Sequence, residues 1–131
     1  RRILPRHIWL GVSVETQKYL ERTSDLQAVP ARVRFISLEP LLDSILLKPT
    51  HLRRIHWVIV GGESGPKARP MNELWVRAIQ KACKRNEVPF FFKQWGAFDK
   101  DGKRVGKKRA GRELSGRTWN EMPVILSPQI V

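Results

Sequence analysis

The chain has 131 residues, with 25 Lys and Arg against 12 Asp and Glu, a formal net charge of +13 and a pI near 10.9. A hydrophobic content of 41% at that length builds a core and excludes wholesale disorder, and no apolar run approaches the ~18 residues of a membrane span, which predicts a soluble chain without a membrane partner. A single cysteine, Cys83, excludes an internal disulfide and cannot alone hold a structural zinc or an iron–sulfur cluster, so no metal site is expected within the chain.

The sequence opens Arg1-Arg2-Ile3-Leu4-Pro5, with no initiator Met and no signal-peptide pattern, which points to a piece of a larger cytoplasmic protein. Residues 8–14, rich in β-branched and aromatic side chains, predict a first strand leading to Glu15. Residues 16–29 read as helix, with Thr23-Ser24-Asp25 placed to end one short helix and cap another. A second strand is expected over 33–38, leading to Glu39. The connection 40–55, interrupted by Pro49, reads either as a short helix followed by a loop or as an edge strand. A third strand over 56–60 runs into Gly61-Gly62-Glu63-Ser64-Gly65. Residues 72–86 make the clearest helix: Asn72 as cap, Glu73 in the first turn, Lys81, Lys84 and Arg85 near the end, and an apolar stripe of Trp75, Val76, Ile79, Ala82 and Cys83. Cys83 on that stripe reads as core rather than as a nucleophile. A fourth strand over 89–92 ends at Lys93-Gln94-Trp95.

From Ala97 onward the character changes. Asp99-Lys100-Asp101-Gly102-Lys103 has a tight-turn signature, and residues 100–117 carry eight Lys and Arg against Asp101 and Glu113, about half the net charge. This stretch predicts a basic surface hairpin or mobile loop. Its Asp99-x-Asp101-Gly102 lacks the further oxygen ligands of a calcium loop.

Strands alternating with helix-sized segments imply α/β structure made of βα units, and the nearly continuous apolar strands predict a mostly parallel sheet covered on both faces. Ligands in such folds bind beyond the strand C-termini. Glu15, Glu39 and Glu63 each follow a strand at a spacing of 24 residues, with Ser13 and Ser37 two positions before the first two and Lys93-Gln94 ending the fourth strand. The competing reading is that each Glu caps a helix or pairs with a basic residue. The glycines of Gly61-Gly62 either let the backbone approach a ligand or make a tight turn through Pro66 and Pro70; neither phosphate-loop fingerprint fits, although Lys67 and Arg69 keep an anionic ligand in view. His7, His51 and His56 lack catalytic spacing and read as core or surface residues. Packing accounts for Trp9, Trp57, Trp75 and Trp119, whereas Trp95 at the rim is a candidate for stacking on a ligand.

The ordered blocks Trp9-Leu10-Gly11-Val12-Ser13-Val14-Glu15, Phe35-Ile36-Ser37-Leu38-Glu39-Pro40-Leu41, Trp57-Val58-Ile59-Val60-Gly61-Gly62-Glu63-Ser64-Gly65, Ala68-Arg69-Pro70-Met71 and Phe90-Phe91-Phe92-Lys93-Gln94-Trp95-Gly96 resemble a known family, as does the stretch 111–123. That family comprises phage- and prophage-associated proteins of uncharacterised function with an N-terminal three-cysteine motif, and the resemblance is to their C-terminal half. Its members are similar to radical S-adenosylmethionine (SAM) enzymes, which implies part of an incomplete TIM-like (β/α) barrel over residues 1–97 and a basic extension over 98–131. It further implies a [4Fe–4S] cluster and SAM in the complete protein, and neither in this piece, because the cysteine motif would precede Arg1. On a barrel rim, Ser13, Glu15, Ser37, Glu39, Gly61, Gly62, Glu63, Arg69, Lys93, Gln94 and Trp95 become ligand-binding candidates. A second expectation from the charge is nucleic-acid binding through Lys100, Lys103, Arg104, Lys107, Lys108, Arg109 and Arg112, with Trp95 or Phe98 as stacking neighbours. Unpaired sheet edges would also invite oligomerisation.

Overall fold

The four apolar runs form strands β1 (Trp9–Ser13), β2 (Val33–Leu38), β3 (Trp57–Gly61) and β4 (Phe90–Gln94). In the computed structural model, which describes residues 2–124, they make one parallel sheet in the order β1-β2-β3-β4. Parallel neighbours require a crossover between them. Helices α1 (Arg22–Ala28), α2 (Pro49–Leu52) and α3 (Glu73–Arg85) supply these crossovers. No helix among the described residues is long and apolar enough to cross a membrane.

Alternation along the strands divides the sheet into two unlike faces. Ile36, Leu38, Val58, Val60, Phe90 and Phe92 are buried together with Leu26 of α1, Leu52 of α2 and Val76, Ile79, Ala82 and Cys83 of α3. All three crossover helices therefore cover one face. The intervening residues Trp9, Phe35, Ser37, Trp57, Ile59 and Phe91 are only half-buried. This corrects the expectation of a sheet covered on both sides. Their rings meet edge to face, Trp9 on Trp57 at 5.8 Å, Phe35 on Trp57 at 6.0 Å and Trp57 on Phe91 at 5.8 Å between centroids.

The helix expected over 72–86 is present: Asn72 Oδ1 accepts from the Leu74 N–H at 2.8 Å, and Glu73 pairs with Arg77 one turn on. Two local expectations are corrected. Thr23-Ser24-Asp25 lies inside α1, and the break falls at Leu20-Glu21 instead; Thr23 Oγ1 donates backwards to the Leu20 carbonyl, binding a short 3-10 turn (Gln17–Tyr19) to the helix. In the 40–55 connection no edge strand forms and the helix comes last. Leu41, Ile45 and Leu47 are buried in an irregular run before α2, which starts on Pro49, where the missing N–H costs nothing. His51 Nδ1 accepts from the Lys48 N–H, and His56 Nδ1 from the Arg34 N–H, so both are structural histidines. Burial, then the nearby Arg34 charge, holds His56 below its ordinary pKa.

Cys83 is fully buried, and burial, followed by the Glu121 charge, pushes its thiol up to about 12. Between its ordinary value of 9.0 and about 12 the unfolded chain sheds a proton that the folded chain keeps. Stability from this group therefore falls as pH rises through that window, by about 1.4 kcal/mol per pH unit. Urea midpoints for the natural protein should drop more steeply there than those of Cys83→Ala; parallel curves would show that burial does not hold the thiol protonated.

The basic stretch after Ala97 is strapped onto the sheet. Phe98 bridges Arg104 in antiparallel fashion, and Asp99 Oδ1 accepts from the N–H groups of Asp101 and Lys103, which accounts for the Asp-Gly turn without a cation. Helix α4 (Lys107–Ala110) follows, between Gly106 and Gly111 at φ 87° and 71°. The chain then runs back along β4: the N–H groups of Phe90, Phe92 and Trp95 donate to Glu121 Oε1, the Trp119 carbonyl and the Gly111 carbonyl. This closes the outer edge of β4. No described segment pairs with the outer edge of β1.

Candidate functional site

Polar groups gather at the C-terminal end of the half-buried sheet face. Ser37 from β2, Glu39 just beyond it, Lys93 from β4 and Arg112 from the returning segment line a groove floored by Trp57, Ile59 and Phe91, with a volume of about 470 Å³. Glu39 Oε1 forms an ion pair with Lys93 Nζ at 3.2 Å and accepts from Gln94 Nε2 at 3.2 Å. Gln94 Nε2 also donates to the Gly62 carbonyl at 3.0 Å. Arg112 stacks over the Phe91 ring at 5.4 Å and donates to Asn120 Oδ1, so its guanidinium is a fixed wall of the groove.

The Glu39 side chain owes its position to a missing Cβ. One built on Gly61 would lie 2.9 Å from Glu39 Cδ, so the carboxylate rests directly against the backbone of β3. Gly62 makes a tighter approach: its Cβ would lie 1.8 Å from the Trp95 carbonyl oxygen. Both glycines thus allow protein to pack on protein. The tight-turn reading also holds for Gly65, which takes φ 96°.

The three regularly spaced acids are not a cluster. Glu15 pairs with Arg22 of α1 at 3.7 Å, Glu39 with Lys93 at 3.2 Å and Glu63 with Arg69 at 3.0 Å. Of the three, only Glu39 lines the groove. Both carboxylate oxygens of Glu63 accept from the Arg69 guanidinium, and one accepts from the Arg69 N–H as well. These bonds hold Glu63 below its ordinary pKa, and the contribution they make near neutral pH is lost as pH falls through that depressed value. The pair is consumed internally, and Lys67 lies outside every interaction that forms the groove. Ser13 stands beside Ser37 in register but is exposed outside the groove lining. Trp95 is 3% exposed, packs against Phe92 at 5.1 Å and donates from Nε1 to the Glu113 carbonyl. It is a core residue and offers no stacking surface.

The basic candidates also divide. Arg104 stacks on Phe98 at 4.6 Å and reaches the carbonyls of Gly65, Pro66 and Ala68, which makes it a brace for the loop after β3. Lys100 lies by Asp101, Trp75 and Pro70, away from the groove. Lys107 and Lys108 join Lys93, Gln94, Gly111 and Arg112 around a second depression of about 510 Å³. The two depressions share Lys93 and Arg112, so one cleft has an aromatic half and a basic half. Lys100, Lys103, Lys107, Lys108 and Arg109 have no carboxylate partner among the described residues.

Sequence reasoning missed Trp57, Ile59 and Phe91 as site residues. Their signal was the two-residue period that also carries Ser37, Glu39 and Lys93, and it was hidden because the covered and open faces are both apolar at these strands.

A family model described as protein of unknown function (DUF5131) matches residues 1–123, and the chain belongs to that family. No curated protein and no solved structure matches it.

Proposed function

We propose that this DUF5131 member forms the C-terminal part of an incomplete TIM-like (β/α) barrel in a phage- or prophage-associated, radical-SAM-like protein. In this reading residues 1–97 are the barrel portion and 98–131 an extension packed on it. The carrying observation is the sheet itself: parallel strands in sequential order, helices on one face, a β1 edge without a partner among the described residues, and polar groups on the other face at the strand C-termini. That is half of a closed barrel's plan, in which the open face becomes the interior and its mouth takes the ligand. The groove of Ser37, Glu39, Lys93 and Arg112 would then orient the substrate, Glu39 accepting from donors on it and the two cations meeting its negative charge.

The chain's own residues do not fit an iron–sulfur cluster. Its one cysteine is buried on α3 and held protonated, and the described residues include no cluster of three or more His, Cys, Asp or Glu suited to a metal. The cluster ligands in this reading belong to a cysteine motif upstream of Arg1. Gly61-Gly62-Glu63 likewise offers no amine-binding element, since Glu63 is engaged by Arg69 and both glycines are packed on protein. Anaerobic reconstitution of the complete protein with iron, sulfide and SAM is the test. Iron incorporation with SAM cleavage is expected, and absence of both refutes the radical-SAM reading.

A second reading, binding of nucleic acid without catalysis, rests on Lys107 and Lys108, which have no carboxylate partner among the described residues and line one depression with Lys93 and Arg112. Cations without carboxylate partners gain most from phosphate contact and counterion release. The two readings are compatible, because an enzyme acting on nucleic acid needs such a surface.

A further inference from the structure

Building on the nucleic-acid reading, we propose that the two-part cleft holds one nucleotide unit of a single strand. The base lies in the Trp57–Phe91 half and its flanking phosphates in the Lys107–Lys108 half. The aromatic half, of about 470 Å³, presents an apolar floor with Ser37 and Glu39 at its end. The basic half, of about 510 Å³, has no acid in its lining. Lys93 and Arg112 stand where the halves meet. A ligand matching this layout is planar and apolar at one end, polyanionic at the other, and carries hydrogen-bond donors on the planar end.

Charge fixes the orientation. Glu39 repels phosphate and accepts from an amino group or ring N–H of a base, so the base goes to its side. The phosphates go to the side where Lys107 and Lys108 lack a carboxylate partner among the described residues. Arg112, already stacked on Phe91, presents its other guanidinium face and remaining N–H groups toward the ligand. A duplex base is stacked and paired and does not enter such a compartment without being flipped, so a single strand is the expected form.

The test measures binding of the full chain to a short thymidine oligonucleotide, to an abasic phosphodiester chain of equal length and charge, and to a duplex. The abasic chain is expected to bind about tenfold more weakly than the thymidine strand, the effect of one base–aromatic stack. Phe91→Leu, which keeps an apolar side chain but removes the ring under Arg112, should weaken binding of the thymidine strand more than that of the abasic chain and so bring the two affinities together, while an unchanged circular dichroism spectrum reports an intact fold. Equal binding of both strands by the natural protein, an unaltered ratio in Phe91→Leu, or preference for the duplex overturns the base compartment and leaves electrostatic binding standing. If none of the three binds, the nucleic-acid reading itself is overturned.

Discussion

Gly62→Ala is expected to destabilise the fold by about 3 kcal/mol, the upper end of what overpacking costs. The added Cβ would lie 1.8 Å from the Trp95 carbonyl oxygen and 2.7 Å from its carbon, and backbone cannot rotate aside as a side chain can. The crossing is bonded shut on both flanks. The Gly62 N–H donates to the Gln94 carbonyl, Gln94 Nε2 returns to the Gly62 carbonyl, and the Ala97 N–H donates to the Glu63 carbonyl. Gly96 completes it, with φ 96° and a would-be Cβ 2.3 Å from the Glu63 oxygen. Gly65→Ala is the control: φ is also 96° but nothing lies within 4 Å, so only backbone strain of about 1 kcal/mol applies. Urea unfolding reads both. A Gly62→Ala midpoint equal to that of the natural protein would show that the loops after β3 and β4 are not locked together.

Neutralising Lys107, Lys108 and Arg112 together should weaken single-strand binding by on the order of a hundredfold near 0.15 M salt. Every phosphate deprived of its cation should also lower the slope of log affinity against log salt by about 0.7 for a single strand, so the slope should fall by about 2. Neutralising Lys100 and Lys103 is the matched comparison, since they carry the same kind of charge away from the cleft. Equal weakening per charge by the two sets would mean that net charge alone attracts the ligand and that the cleft adds nothing.

The sequence was most legible where one physical signal acted alone. Each strand stood out as a short β-branched or aromatic run, and α3 as a capped amphipathic stripe from Asn72 to Arg85. Legibility failed where the deciding partner is distant in sequence. Gly62 is required by Trp95, and Gly61 by Glu39. Trp95 looks like a rim aromatic until Phe92 and the Glu113 carbonyl are seen to enclose it. The acids at 24-residue intervals mark the equal length of successive units, and only the pairings with Arg22, Lys93 and Arg69 show that they serve different local ends. Arg112 was legible as a charge and invisible as a wall of the groove, because its place depends on Phe91 and Asn120.

The unequal edges of the sheet set a limit on assembly. With β4 sealed by its own returning chain and β1 unpaired among the described residues, the described sheet has one adhesive side rather than two. Head-to-tail growth needs a donor edge and an acceptor edge on every subunit, and it is therefore blocked. Two copies can still meet β1 to β1 about a two-fold axis, an arrangement that uses up both open edges at once. Edge-driven association limited to these edges would therefore stop at the pair.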